Sequence, residues 1–175
     1  LASGMDWQLT TLTLSPQSGT SQVTSSGTRF FDVVVNGSGT ISLNDEWYGR
    51  SLDIQSGSFD MNGQDLSTSV ITSATGTNFI SGAVTITVAN FYLQGSISNS
   101  SSTDFICKHL PVPYNVNNLF LFRTSGTYRD ITVMESGLSF LNTDVNCRVI
   151  TAYGDFSYAG YASVDTVQKM VAFGN

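Results

Sequence analysis

The segment Asn44-Asp45-Glu46-Trp47-Tyr48-Gly49-Arg50 gathers the side chains best suited to grip a ligand. Aromatic faces stack on the apolar faces of sugars, and carboxylates and a guanidinium bond sugar hydroxyls. Asp45, Glu46, Trp47, Tyr48 and Arg50 therefore form a candidate ligand-binding set. The competing and favoured reading of the same residues is a turn corner, with Trp47 packed inward and its neighbours solvated. Tyr153, Phe156, Tyr158 and Tyr161 form a second aromatic group, in which strand alternation puts Phe156 and Tyr158 on one face, as core.

Catalytic constellations are scarce. The single histidine, His109, would have to serve any Ser-His-Asp or Cys-His machine, and no GxSxG elbow accompanies it. It reads as a surface residue. Acidic residues are dispersed; Asp53 and Asp60 fall within one repeat and could face a common groove, yet nothing singles them out. No phosphate loop, dinucleotide fingerprint or calcium loop occurs, so no cofactor and no metal are expected. Cys107 and Cys147 lack metal-ligand spacing. They could close a disulfide loop worth roughly 3–4 kcal/mol, or remain as two buried thiols.

Strands must position these residues. Val33-Val34-Val35, Ile41-Ser42-Leu43, Leu52-Asp53-Ile54, Val84-Thr85-Ile86-Thr87-Val88 and Ile131-Thr132-Val133 are short, β-branched and bounded by Gly, Ser and Asn. Helical periodicity is almost absent; only Val164–Val171 permits a helical turn. A strand running into Ser-Gly, then Asn five positions later, recurs at Gly39 and Asn44, Gly57 and Asn62, and Gly137 and Asn142. Gly82 and Gly154 mark related positions. Gly39 to Gly57 is 18 residues, Gly57 to Gly82 is 25 and Gly137 to Gly154 is 17, the length of one solenoid turn.

The expected fold is an all-β, right-handed parallel β-helix (β-solenoid). A β-sandwich or jelly roll is the alternative, but it leaves the recurring motif unexplained. Glycines would take positive-φ corners, and stacked Asn would form an amide ladder. One domain, 1–175, divides into an entry or partial rung (1–28), regular rungs (29–98), an irregular excursion (99–125) and further rungs (126–175). Neither end shows a polar capping repeat or a signal peptide, so a segment of a longer chain is expected.

Composition narrows the partners. Only 11% of residues are charged and the net charge is -6, which opposes nucleic acid and anionic lipid. No stretch approaches the roughly 20 apolar residues of a membrane helix.

Residues 28–90, and in part 126–160, are similar to repeat segments of large Bacteroidetes cell-surface adhesin-like proteins, of the type IX secretion and gliding-motility class. The likeness rests on Asp32-Val33-Val34-Val35, Gly39-Thr40-Ile41-Ser42-Leu43 and Leu52-Asp53-Ile54-Gln55-Ser56-Gly57-Ser58-Phe59-Asp60-Met61-Asn62-Gly63. It implies a parallel β-helix at the cell surface, non-enzymatic, with a structural or adhesive role. Its partners would be surface glycans or other copies of the parent protein. A carbohydrate-active enzyme or binding module on a β-helix, and a phage fibre segment, are the alternatives.

Overall fold

A computed structural model describes residues 11–108, 120–122, 126–134, 138–141, 145–153, 156–159 and 166–172. In chain order the strands are β1 (Thr11–Leu14), β2 (Thr20–Val23), β3 (Arg29–Val35), β4 (Thr40–Leu43), β5 (Trp47–Ile54) and β6 (Ser58–Asp60). There follow β7 (Leu66–Ser73), β8 (Asn78–Ile80), β9 (Thr85–Leu93), β10 (Ser96–Ser98), a 3₁₀ turn at Ser100–Ser102, and β11 (Asp104–Cys107). The remainder are β12 (Phe120–Phe122), β13 (Gly126–Val133), β14 (Leu138–Leu141), β15 (Val145–Ala152), β16 (Phe156–Ala159) and β17 (Thr166–Ala172).

Among the described residues every ladder is parallel, and strands pair with their counterparts one turn away, as in β3-β5-β7-β9 and β4-β6-β8-β10. A sandwich built from antiparallel hairpins is thereby excluded, and the chain is a β-solenoid. From Thr166 onward, the tail that permits a helical turn is instead strand β17, paired in parallel register with β15.

The long strands share an internal bend. In β5, Trp47, Gly49, Leu52 and Ile54 are buried, whereas Arg50 and Ser51 both turn outward. Strict alternation would bury one of that pair. The same break falls at Phe31-Asp32 in β3 and Arg129-Asp130 in β13. Each long strand therefore serves two adjoining faces, a first half and a second half, and the short strands β2, β4, β6, β8 and β10 make a third.

Stacked side chains fill the interior. Phe30, Trp47, Phe59, Phe79, Phe91, Phe105 and Tyr128 form a continuous aromatic spine, with successive ring centroids 4.7, 5.6, 6.0, 6.1, 4.8 and 5.2 Å apart. Such pairs add about 0.5–1.5 kcal/mol each beyond the area they bury.

The excursion at 99–125 is more than an insertion. β11 pairs with the first half of β9, at Thr85–Val88, while β12 pairs with its second half, at Asn90 and Phe91. β13 then lays its second half, Asp130–Val133, on β11. Its first half passes to the 3₁₀ turn, where Arg129 N donates to Thr103 O at 2.9 Å. From β13 onward each strand sits one face round from its sequence counterpart. Val33, Leu52, Ile71 and Phe91 continue into Phe122 and Phe140, whereas Ile131 joins the column of Leu66, Ile86 and Phe105. Between Asp104 and Asp130 the chain still visits each face once, with β12 on the second and the first half of β13 on the third; residues 109–119 and 123–125 of the expected excursion lie outside the described residues. A buried polar seam lines the exchange: Thr103 Oγ1 lies 2.8 Å from Gly82 O and 2.9 Å from Ser81 Oγ.

The repeated Gly and Asn do different jobs. Gly57 and Gly82 do adopt positive φ, at 75° and 85°. Gly39 does not; it is needed because a Cβ there would lie 2.7 Å from Gly19 O. Asn62 has φ 49°, and its Nδ2 donates to Leu43 O at 2.9 Å. Asn44 Nδ2 instead donates to Thr24 Oγ1 at 3.1 Å, so the expected amide-to-amide ladder between these two residues is replaced by bonds to the preceding turn. Gly137, Asn142 and Gly154 lie outside the described residues.

Candidate functional site

The five candidate residues at the start of β5 separate by role. Asp45 accepts the N–H groups of Ser25 and Ser26, both at 2.7 Å, and so ties one corner to the corner of the turn before. Burial pushes its carboxyl up, but those bonds more than offset it and hold it below the ordinary carboxylate value. Arg50 forms a two-pronged bond to the Asp32 carboxylate on β3, with Nε 2.8 Å from Oδ1, and its guanidinium lies 5.2 Å from the Phe31 ring centroid. Ser51 Oγ donates to the same carboxylate at 2.6 Å. The Arg50 bond, with Ser51 assisting, keeps the Asp32 carboxyl below its usual range against the opposing effect of burial. Both residues are occupied in holding rungs together.

Trp47 is 0% exposed. Its ring is wedged between Phe30 and Phe59 and offers no face to a ligand, so the expectation that it stacks on sugar is corrected. Its place at an inward position of the first face dictates this. Its Nε1 has no hydrogen-bond partner, and a Cβ at Gly49 would lie 2.9 Å from it.

Two members remain outward. Tyr48 is 40% exposed, and its hydroxyl donates to Glu46 Oε2 at 2.6 Å. That bond, together with the Glu46 charge, raises the phenol above its ordinary value. Two further residues join them. Arg29 on β3 is the register partner of Tyr48. Asp65 precedes Leu66, the partner of Trp47, and its charge also acts on Tyr48. Neither is near Tyr48 in sequence; the turn length of the solenoid is the signal that connects them.

The other candidate chemistry does not assemble. Asp53 accepts from Thr72 Oγ1 at 2.8 Å and Gln55 Nε2 at 3.0 Å, while Asp60 caps Asn62 N at 2.9 Å. They stand on β5 and β6, which belong to different sheets, so they share no groove. Among the described residues no group of three His, Cys, Asp or Glu could hold a metal. His109 lies outside the described residues.

Cys107 and Cys147 are both free and buried. They occupy β11 and β15, with β13 between them. Two strand spacings put them about 9.6 Å apart along the axis, beyond the roughly 7 Å limit for a disulfide. Burial pushes the Cys107 thiol up to about 12 and, with the Asp130 charge, Cys147 up to about 11.

The Arg50–Asp32 arrangement recurs. Arg129 binds Asp104 and Arg148 binds Asp130, each across one turn and each two-pronged, with Nε to Oδ1 at 2.6 and 3.0 Å. Among the described arginines, Arg29 alone has no carboxylate partner. Among the described residues no helix is long and apolar enough to cross a membrane. No protein-family model, no curated protein and no solved structure matches the chain, so only its own residues and geometry bear on its function.

Proposed function

We propose that this β-solenoid is a structural or adhesive module of a large extracellular surface protein, holding a polar, ladder-like surface on a stiff core. The observation that supports this most is the aromatic spine continuous from Phe30 to Tyr128. Packing of that kind resists bending along the axis, and stability in such a stack is shared between neighbouring turns. Staples between turns, such as Arg50 to Asp32, add cross-links on the outer surface. The ionisable groups described are tied to neighbouring turns or dispersed, an arrangement that suits a scaffold better than an enzyme.

Its partners are surface glycans or other copies of the parent chain. The test is accessibility. Antibodies raised against the module are applied to intact cells of the source organism, before and after mild external proteolysis. Labelling of intact cells, removed by the protease, is the expected result. Labelling only after permeabilisation overturns the reading.

A further inference from the structure

The first face runs through the exchange without a break, from β3 to β17. Its outward column begins with Arg29, Tyr48 and Ser67; the next register positions are Thr87, which is buried, and the apolar Ile106. We infer that the start of this column, from Arg29 to Ser67, is a binding site for a neutral polysaccharide chain, anchored on the Tyr48 ring. The inference rests on the surface-module reading and names the ligand class for one of its faces.

Four observations carry it. The Tyr48 ring is 40% exposed, and the bond from its hydroxyl to Glu46 fixes its orientation, so stacking costs little side-chain freedom. Arg29, alone among the described arginines, keeps its donors uncommitted, and it stands beside Tyr48 on the neighbouring strand. Glu46, bonded to the Tyr48 hydroxyl, and Asp65, whose charge also acts on that phenol, supply acceptors at the anchor, and sugar hydroxyls both donate and accept. Rungs recur about every 4.8 Å, a step comparable to one sugar unit of an extended chain, so the Ser67 hydroxyl follows the anchor at the next unit.

Charge selects the class. A net charge of -6 opposes a polyanionic glycan. Farther along the same face, Asp104 and Asp130 are neutralised by Arg129 and Arg148, which removes the continuous negative row a polycation would need.

The test is a titration of the whole chain with cellohexaose, glucose, an alginate hexamer and a chitosan hexamer. Tyr48→Ala, Arg29→Gln and, as a control on the second face, Tyr92→Ala are run in parallel. Cellohexaose is expected to bind, with glucose far weaker. Tyr48→Ala should lower affinity about tenfold, equivalent to about 1.4 kcal/mol. Arg29→Gln should lower it severalfold, and Tyr92→Ala should leave it unchanged. The inference is overturned if Tyr48→Ala binds as well as the parent, if glucose competes equally, if either charged hexamer binds more tightly, or if no sugar binds. None of these outcomes alters the intact-cell labelling, which judges the surface-module reading separately.

Discussion

At the scale of single residues, the close stacking of turns makes small changes expensive. Gly57 has φ 75°, and a Cβ there would lie 2.3 Å from Gly37 O and 2.4 Å from Gly39 O. Gly57→Ala must therefore strain its own backbone and push the preceding corner away. The expected loss is about 2–3 kcal/mol in urea unfolding. Gly63→Ala gives an internal comparison, because φ is 76° but nothing lies within 4 Å of its Cβ position; its loss should be smaller. The thiols make a second prediction. With Cys107 pushed up to about 12 and Cys147 to about 11, both should resist a thiol-reactive dye at pH 8 in the folded protein. Two equivalents of dye should react once the chain is unfolded. The roles of Trp47 and Tyr48 could not be separated from composition alone. They are adjacent aromatic residues, and strand alternation sends one inward and the other outward. Which goes where depends on the bend at Arg50-Ser51, and the equivalent bends at Phe31-Asp32 and Arg129-Asp130 carry no Gly or Pro that would mark it as a recurring feature.

At the scale of elements, stability comes from ladders between neighbouring strands. Phe79 links Phe59 to Phe91, at 6.0 and 6.1 Å, and is 0% exposed. Phe79→Ala should cost about 3–5 kcal/mol and should loosen hydrogen exchange most in β6, β8 and β9. The Arg–Asp staples contribute less, because they sit at the surface. Their signature is pH dependence. The Asp32, Asp45 and Asp130 carboxyls are held below their unfolded values, so the folded chain takes up those protons later than the unfolded chain does. Their stabilisation is complete above the unfolded value of about 3.9 and is lost as pH falls through the lower folded values. The urea midpoint should thus stay flat across neutral and mildly acidic pH, then drop below about pH 4. Arg50→Gln should shrink the share of that drop due to Asp32. The strands themselves were legible because β-branched, alternating runs bounded by Gly and Asn have few other solutions. The staples were not, since Asp32 and Arg50 lie 18 residues apart and only the register makes them neighbours.

At the scale of the whole molecule, the turn length set by Gly39 and Gly57 was enough to infer a solenoid, because a sandwich has no need of that spacing. It was not enough to place the later turns. The likeness of Ile131-Thr132-Val133 to Leu52-Asp53-Ile54 is genuine, yet the two segments occupy different faces. Local sequence encodes a strand running into a corner; only the register shows which corner it is. The first face is continuous across this exchange. Paired-cysteine cross-linking tests this architecture most directly. Ile106 and Thr132 are outward register partners on β11 and β13, whereas an unshifted repeat would bring Thr132 onto the column of Tyr92. With the native thiols buried, a short bis-thiol linker should join Ile106→Cys to Thr132→Cys rapidly and leave Tyr92→Cys with Thr132→Cys unjoined. Efficient linking of the second pair, with the first unjoined, would contradict the face exchange and the continuous first face built on it.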